Sequence, residues 1–156
     1  MAGISWGRML RTAGPDDLAI RLLVEAKRRG VEIEIIVPGR HIDFKIVRKA
    51  SRSRWGPPLE AGIAIYEFTP TMYHTKVMVV DELWVSVGST NFDNRSFRLN
   101  DEANLNVLDP NFAAELAEQF EEDKRRSRRV TLEAWRSRPW QEQAKDRLAA
   151  LVGKQL

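Results

Sequence analysis

In the stretch "YHTKVMVVDELWVSVGSTN" (73–91), an imidazole and an ammonium, His74 and Lys76, stand two residues apart inside a run that otherwise reads as strand core. The run closes on Gly88-Ser89-Thr90-Asn91, all small or polar. Two β-branched, apolar segments, 73–80 and 83–89, flank Asp81-Glu82. A two-residue hairpin loop at that point would pair Val80 with Leu83, Lys76 with Val87 and His74 with Ser89. Because side chains alternate along a strand, this register sets His74, Lys76, Ser89 and Asn91 on one face near the open end of the hairpin. Met78, Val80, Val85 and Val87 would form the floor beneath them. A slip of one residue would scatter the set.

Such a set suits a phosphate diester. Lys76 supplies charge to the non-bridging oxygens, and Ser89 and Asn91 supply neutral donors. His74 titrates near neutral pH, so it can attack phosphorus or transfer a proton. Glu102, in "NDEANL", is the candidate carboxylate for orienting the far nitrogen of the imidazole. With no carboxylate cluster and no HExxH-type pair, the chemistry is expected to run without a metal or another cofactor. Taken singly, a histidine on a strand is more often a satisfied core or surface residue; the combination is what carries the reading.

The elements that must position these groups can be traced outward from the hairpin. "GPDDLAIRLLVEAKRRG" (14–30) predicts a helix, with Pro15 and two aspartates at its start and Gly30 at its stop. "VEIEIIVP" (31–38) alternates as a strand, and Pro38-Gly39 ends it. Residues 41–54 predict a helix on which Lys45, Arg48, Lys49 and Arg52 form one stripe, followed by Trp55. "GIAIYEF" (62–68) and "ANLNVLD" (103–109) are further strands. Pro110 opens a helix with Phe112, Leu116 and Phe120 on one side. Thr131 caps a short helix that Pro139 interrupts, and a last helix runs from Trp140. The pattern predicts an α/β fold, a mixed β-sheet flanked by helices. Helix 15–29 calls for a strand before it, yet "MAGISWGRMLRTA" (1–13) makes a poor one and is expected to be irregular.

A chain of 156 residues is one domain with room for a real core. It contains no cysteine, so disulfides and thiolate chemistry are excluded. No apolar run approaches the roughly 20 residues that span a bilayer, and the first residues lack the pattern of a secretory signal. Net charge is only +3, but Arg40–Arg54 and Lys124–Arg129 concentrate positive charge. Those blocks point to anionic partners, phospholipid head groups or nucleic acid, or else to solvated helix faces. Trp55 and the tryptophans near the C-terminus could rest on a membrane or simply pack.

The hairpin residues match the phospholipase D superfamily motif H-x-K-x4-D-x6-G-S-x-N without a departure, as His74, Lys76, Asp81, Gly88, Ser89 and Asn91. Flanking segments "IVPGRHIDFKIVRKASRSRWG" and "FEEDKRRSRRVTLEAWRSRPW" resemble the C-terminal half of bacterial cardiolipin synthases. The resemblance implies a single phospholipase D-like domain over 14–130, with 131–156 as an amphipathic helical extension. It implies a phosphatidyltransferase acting on phosphatidylglycerol through a phosphohistidine, with His74, Lys76 and Asp81 as the motif's catalytic residues and Glu102 orienting the nucleophile. Asp81 reads equally as a turn residue. His41, Arg48 and Arg52 are candidates for substrate or membrane contact.

Family members usually carry two motifs, and this chain has one. His41 starts no second copy, because "HIDFK" puts its lysine four residues on. A homodimer, or pairing with the missing half of a longer synthase, would supply the second histidine. Peripheral association with the cytoplasmic side of a membrane is expected. The alternatives are a metal-independent nuclease acting as a homodimer and an inactive binding remnant.

Overall fold

The computed structural model describes residues 7–11, 17–41, 45–89 and 103–152. Seven strands form one mixed sheet: β1 (Gly7–Arg11), β2 (Glu32–Pro38), β3 (Ala64–Phe68), β4 (Val77–Val80), β5 (Trp84–Gly88), β6 (Asn104–Leu108) and β7 (Ser127–Val130). Their order across the sheet is β6-β5-β4-β1-β2-β3-β7. Strands β1, β2 and β3 are parallel neighbours, and the remaining pairings are antiparallel. The helices are α1 (Asp17–Arg28), α2 (Lys45–Ser53), α3 (Gly56–Glu60), α4 (Pro110–Arg125), α5 (Leu132–Arg136) and α6 (Trp140–Val152). The predicted mixed α/β architecture is the one observed.

Local chemistry explains most boundaries. Helix α1 ends at Gly30 with φ +91. There Gly30 N–H donates to the Lys27 carbonyl at 2.9 Å and Val31 N–H to the Ala26 carbonyl at 3.1 Å, the paired bonds that satisfy a helix C-terminus. Asp109 caps α4 by accepting from the backbone of Asn111 at 2.8 Å and Phe112 at 3.2 Å. Thr131 caps α5 through Ala134 N–H at 3.1 Å.

Core packing lies on both sheet faces. On one, Ile33, Ile35, Val37 and Ile65 pack with Ile20 and Val24 of α1 and with Trp55 and Leu59. On the other, Ile36, Phe68 and Tyr73 pack with Phe120 of α4, and Val77, Val79 and Val85 pack with Ala113 of the same helix.

One expectation changes, and two that the sequence left open are narrowed. Residues 7–11, inside the stretch 1–13 expected to be irregular, form β1, which sits in the middle of the sheet between β4 and β2. A strand bonded on both edges is specified by its neighbours, so "GRMLR" needs no strong pattern of its own. Part of the basic block predicted as a solvated or anion-binding run is strand β7, paired with β3. Trp55 is core rather than a membrane contact: it is buried, and its indole N–H donates to Ser51 Oγ at 3.1 Å.

Candidate active site

His74 and Lys76 lie on residues 72–76, an extended segment between β3 and β4 that belongs to no strand. His74 is exposed, while Lys76 retains only 8% of its accessible surface. The Lys76 ammonium lies 3.0 Å from His74 Nδ1 and 2.9 Å from Nε2, and it donates to the His74 carbonyl at 3.0 Å. The ring lone pairs diverge, so one ammonium near both nitrogens must sit against the ring face rather than in line with either. A desolvated cation is thereby fixed beside a water-facing imidazole. That combination presents positive charge and a nucleophile to one incoming anion.

The hairpin register differs from the two-residue loop expected from the sequence. Val80 pairs with Trp84, Val79 with Val85 and Val77 with Val87, so the loop holds Asp81, Glu82 and Leu83. Asp81 and Glu82 have φ 54 and 53, and Leu83 N–H donates to the Val80 carbonyl at 3.2 Å. The ladder is shifted by one residue, so Gly88 N–H donates to the Lys76 carbonyl at 3.2 Å. Val77, Val79, Val85 and Val87 form the apolar face, in place of the floor predicted with Met78 and Val80.

Ser89 is exposed and bound to the next strand's entry. Its Oγ accepts from Ala103 N–H at 3.1 Å, and its own N–H donates to the Ala103 carbonyl at 3.0 Å. Continuing the observed ladder would set Ser89 opposite Thr75, on the other face from Lys76, so the predicted convergence of Ser89 with His74 does not follow from regular pairing. Asn91 and Glu102 lie outside the described residues.

Asp81 is excluded from direct contact with a group held on His74 in the same chain. It sits in the turn, five residues from Lys76 along β4, or roughly 16 Å at strand rise. One of its carboxylate oxygens is buried with no hydrogen-bond partner among the described residues.

Two arginines of the basic stripe on α2 pair within the chain. Arg48 binds Glu67 through Nε at 3.1 Å and through Nη2, and Arg128 of β7 binds the other oxygen of Glu67 at 2.5 Å. Arg52 faces Glu142 of α6 at 3.7 Å. Both arginines, expected as substrate or membrane contacts, thus face carboxylates of the same chain. His41 is exposed, and its Nε2 accepts from Arg40 at 3.3 Å. In the second block, Lys124 pairs with Glu34 at 3.0 Å and Glu121 at 2.6 Å, and Arg125 pairs with Glu122 at 2.5 Å. No group of His, Cys, Asp and Glu able to hold a metal occurs among the described residues.

One pair of residues escaped sequence reasoning. Tyr73, the neighbour of His74, is buried and donates its hydroxyl to Asp123 Oδ2 on α4 at 2.9 Å. The available signal was a carboxylate three residues after Phe120, on the same face of a helix and hence turned toward the core.

A mixed sheet covered by α4 on one face and by α1 and α3 on the other, carrying an HxK pair at the entry to a β-hairpin, defines a phospholipase D-like domain. The chain belongs to the family described as "Cardiolipin synthase, PLD-like domain", whose model matches residues 8–124. Cardiolipin synthase A of Erwinia tasmaniensis is 40% identical over 134 residues, which are 86% of this chain and 27% of that protein. A minor cardiolipin synthase of Bacillus subtilis is 34% identical over 120 residues, covering 77% and 30% respectively. The chain thus spans under a third of the length of these relatives. In fold, it resembles the phospholipase D family member NUC from Salmonella typhimurium, with a TM-score of 0.67, 24% identity, and coverage of 81% of this chain and 82% of that one. It also resembles phosphatidylserine synthase of Haemophilus influenzae, with a TM-score of 0.69, 17% identity, and coverage of 94% and 41%.

Proposed function

We propose that this chain carries one half-site of a cardiolipin synthase-type phosphatidyltransferase acting on phosphatidylglycerol. The observation that supports it most directly is the buried Lys76 ammonium against both nitrogens of the exposed His74 ring. An imidazole nitrogen of His74 attacks the phosphorus of one phosphatidylglycerol. A P–N bond forms and the P–O bond to the head-group glycerol breaks. A second imidazole gives its proton to the leaving alkoxide, so that free glycerol departs. The same imidazole then takes the proton from the head-group hydroxyl of a second phosphatidylglycerol. The oxygen so activated attacks phosphorus, the P–N bond breaks, and cardiolipin is released with His74 restored.

Lys76 neutralises charge on the non-bridging oxygens as the five-coordinate phosphorus forms. Asn91 keeps the phosphate-binding role of its motif position, and Glu102 the orienting role that the family resemblance implies. The second imidazole comes from His74 of another copy of this chain or from another motif-bearing half of a longer synthase, because one nitrogen base cannot be bonded to phosphorus and serve as acid in the same step. Exposed Trp140 and Leu148 on α6 are the apolar groups available for contact with a lipid surface. A nucleic-acid substrate is less well supported, since Arg48 and Arg52 are engaged by Glu67 and Glu142 instead of facing a phosphate backbone.

The direct assay supplies phosphatidylglycerol vesicles to the purified chain and measures cardiolipin and glycerol, with solution mass determined alongside. His74→Ala should lower the rate about 10³-fold or more. Product formation that survives His74→Ala would remove the phosphohistidine, and cleavage of DNA in chelator without lipid turnover would favour the nuclease.

A further inference from the structure

We propose that Tyr73 is a positioning residue for His74 and Lys76, acting through its hydrogen bond to Asp123; this rests on the reaction proposed above. The segment carrying the two site residues has no strand ladder of its own. At one end the Lys76 carbonyl is held by Gly88 N–H at 3.2 Å. At the other end the tether is Tyr73. The residue is 6% exposed, and its ring packs against Phe68 with centroids 4.6 Å apart. The hydroxyl reaches Asp123 Oδ2 at 2.9 Å, and Gln119 on the same helix approaches Asp123 Oδ1 at 3.4 Å. Asp123 is itself buried, at 7% exposure.

A hydroxyl donating to a buried carboxylate is a charge-assisted bond, stronger and more directional than apolar packing. It sets where Tyr73 lies along α4, and the backbone passes from there directly to His74. The exposed imidazole meets the Lys76 ammonium two residues on, so its placement depends on how the segment carrying both is held. This gives a role to Phe120 and Asp123 in "FEEDKRRSRRV", a segment that the resemblance singled out and the chemistry did not use.

The full chain contains two histidines, which keeps its imidazole spectrum simple. The readout is the nuclear Overhauser contact between the His74 ring and the Lys76 side chain, with His41 as internal control. Tyr73→Phe keeps the ring and deletes the hydroxyl; it should abolish this contact and leave the His41 signals unchanged. Asp123→Ala should do the same, whereas Asp123→Asn, which retains an acceptor, should preserve it. On phosphatidylglycerol vesicles, Tyr73→Phe should lower kcat about tenfold with KM unchanged, as small misplacements of a reacting group do.

A folded Tyr73→Phe or Asp123→Ala protein with the His74–Lys76 contact intact overturns the proposal, whatever its Tm, because Tyr73 would then only pack. If the variants lose the contact while the wild type turns over no lipid, the tether stands and the proposed reaction falls.

Discussion

Lys76 gives up nearly all contact with water, and its charge rests beside the imidazole two residues away. Burying an ammonium is costly, and in the proposed reaction a phosphodiester approaching His74 would add to what holds that charge in place. Lys76→Met preserves most of the volume and deletes the charge; kcat on phosphatidylglycerol should fall about 10²- to 10³-fold, the loss typical of removing a preorganised electrostatic contact. His41 offers the contrast. It is exposed and its ring meets Arg40, so His41→Ala should alter the rate about twofold at most, the equivalent of the ~0.5 kcal/mol usual for surface changes. Measured side by side, the two variants test which of the two residues serves the reaction. The pair His74–Lys76 was legible from spacing alone because two residues apart on an extended chain means the same side. Whether Ser89 joins them was not legible, since that depends on the register of a different strand.

The β4–β5 hairpin shows why. Its apolar pattern fits a two-residue or a three-residue loop, and only the turn geometry selects between them. Asp81 and Glu82 both adopt the left-handed conformation, which costs an L-residue with a Cβ about 1–2 kcal/mol. Glu82→Gly should therefore stabilise the protein by about 1 kcal/mol, after the entropy glycine loses on folding, seen as a higher urea midpoint at unchanged slope. Gly88 behaves in the opposite way. A Cβ there would lie 2.2 Å from the Ala103 carbonyl oxygen and 2.7 Å from Asn104 Cα, backbone atoms that cannot step aside. Gly88→Ala should thus cost about 1–3 kcal/mol by forcing β5 and β6 apart. The motif glycine is explained by close approach of two strands.

Across the molecule, Glu67 joins three elements, with Arg48 of α2 and Arg128 of β7 gripping a carboxylate on β3. Burial alone would raise its pKa, but the hydrogen bond from Arg128 and the charge of Arg48 outweigh burial and hold it below the usual glutamate value. The folded state therefore prefers the ionised form. Its stabilising contribution is complete above the unfolded-state value near 4.5 and is lost as pH falls through the lower folded value. Asp146 has the opposite sign. Burial chiefly, with Glu142 adding, pushes its carboxyl up against the pull of Arg52, Arg138 and Arg48, so its protonation favours the fold as pH falls. Glu67→Gln should lose about 2 kcal/mol at neutral pH. Urea unfolding repeated at acid pH should show the gap from wild type closing, because both side chains are then uncharged.

The sequence by itself determined the candidate reacting groups and the amphipathic elements. A motif is a matter of spacing, and a helix or outer strand buries one face that its own periodicity records. Tertiary structure alone decided that "GRMLR" fills the centre of the sheet, that "SRRV" closes its edge, and that Arg48 and Arg52 meet Glu67 and Glu142. Each of those outcomes depends on a partner distant in the chain: a neighbouring strand's unpaired backbone, or a buried acid needing a cation. Local pattern cannot encode a pairing whose free energy exists only once both sides have been brought together.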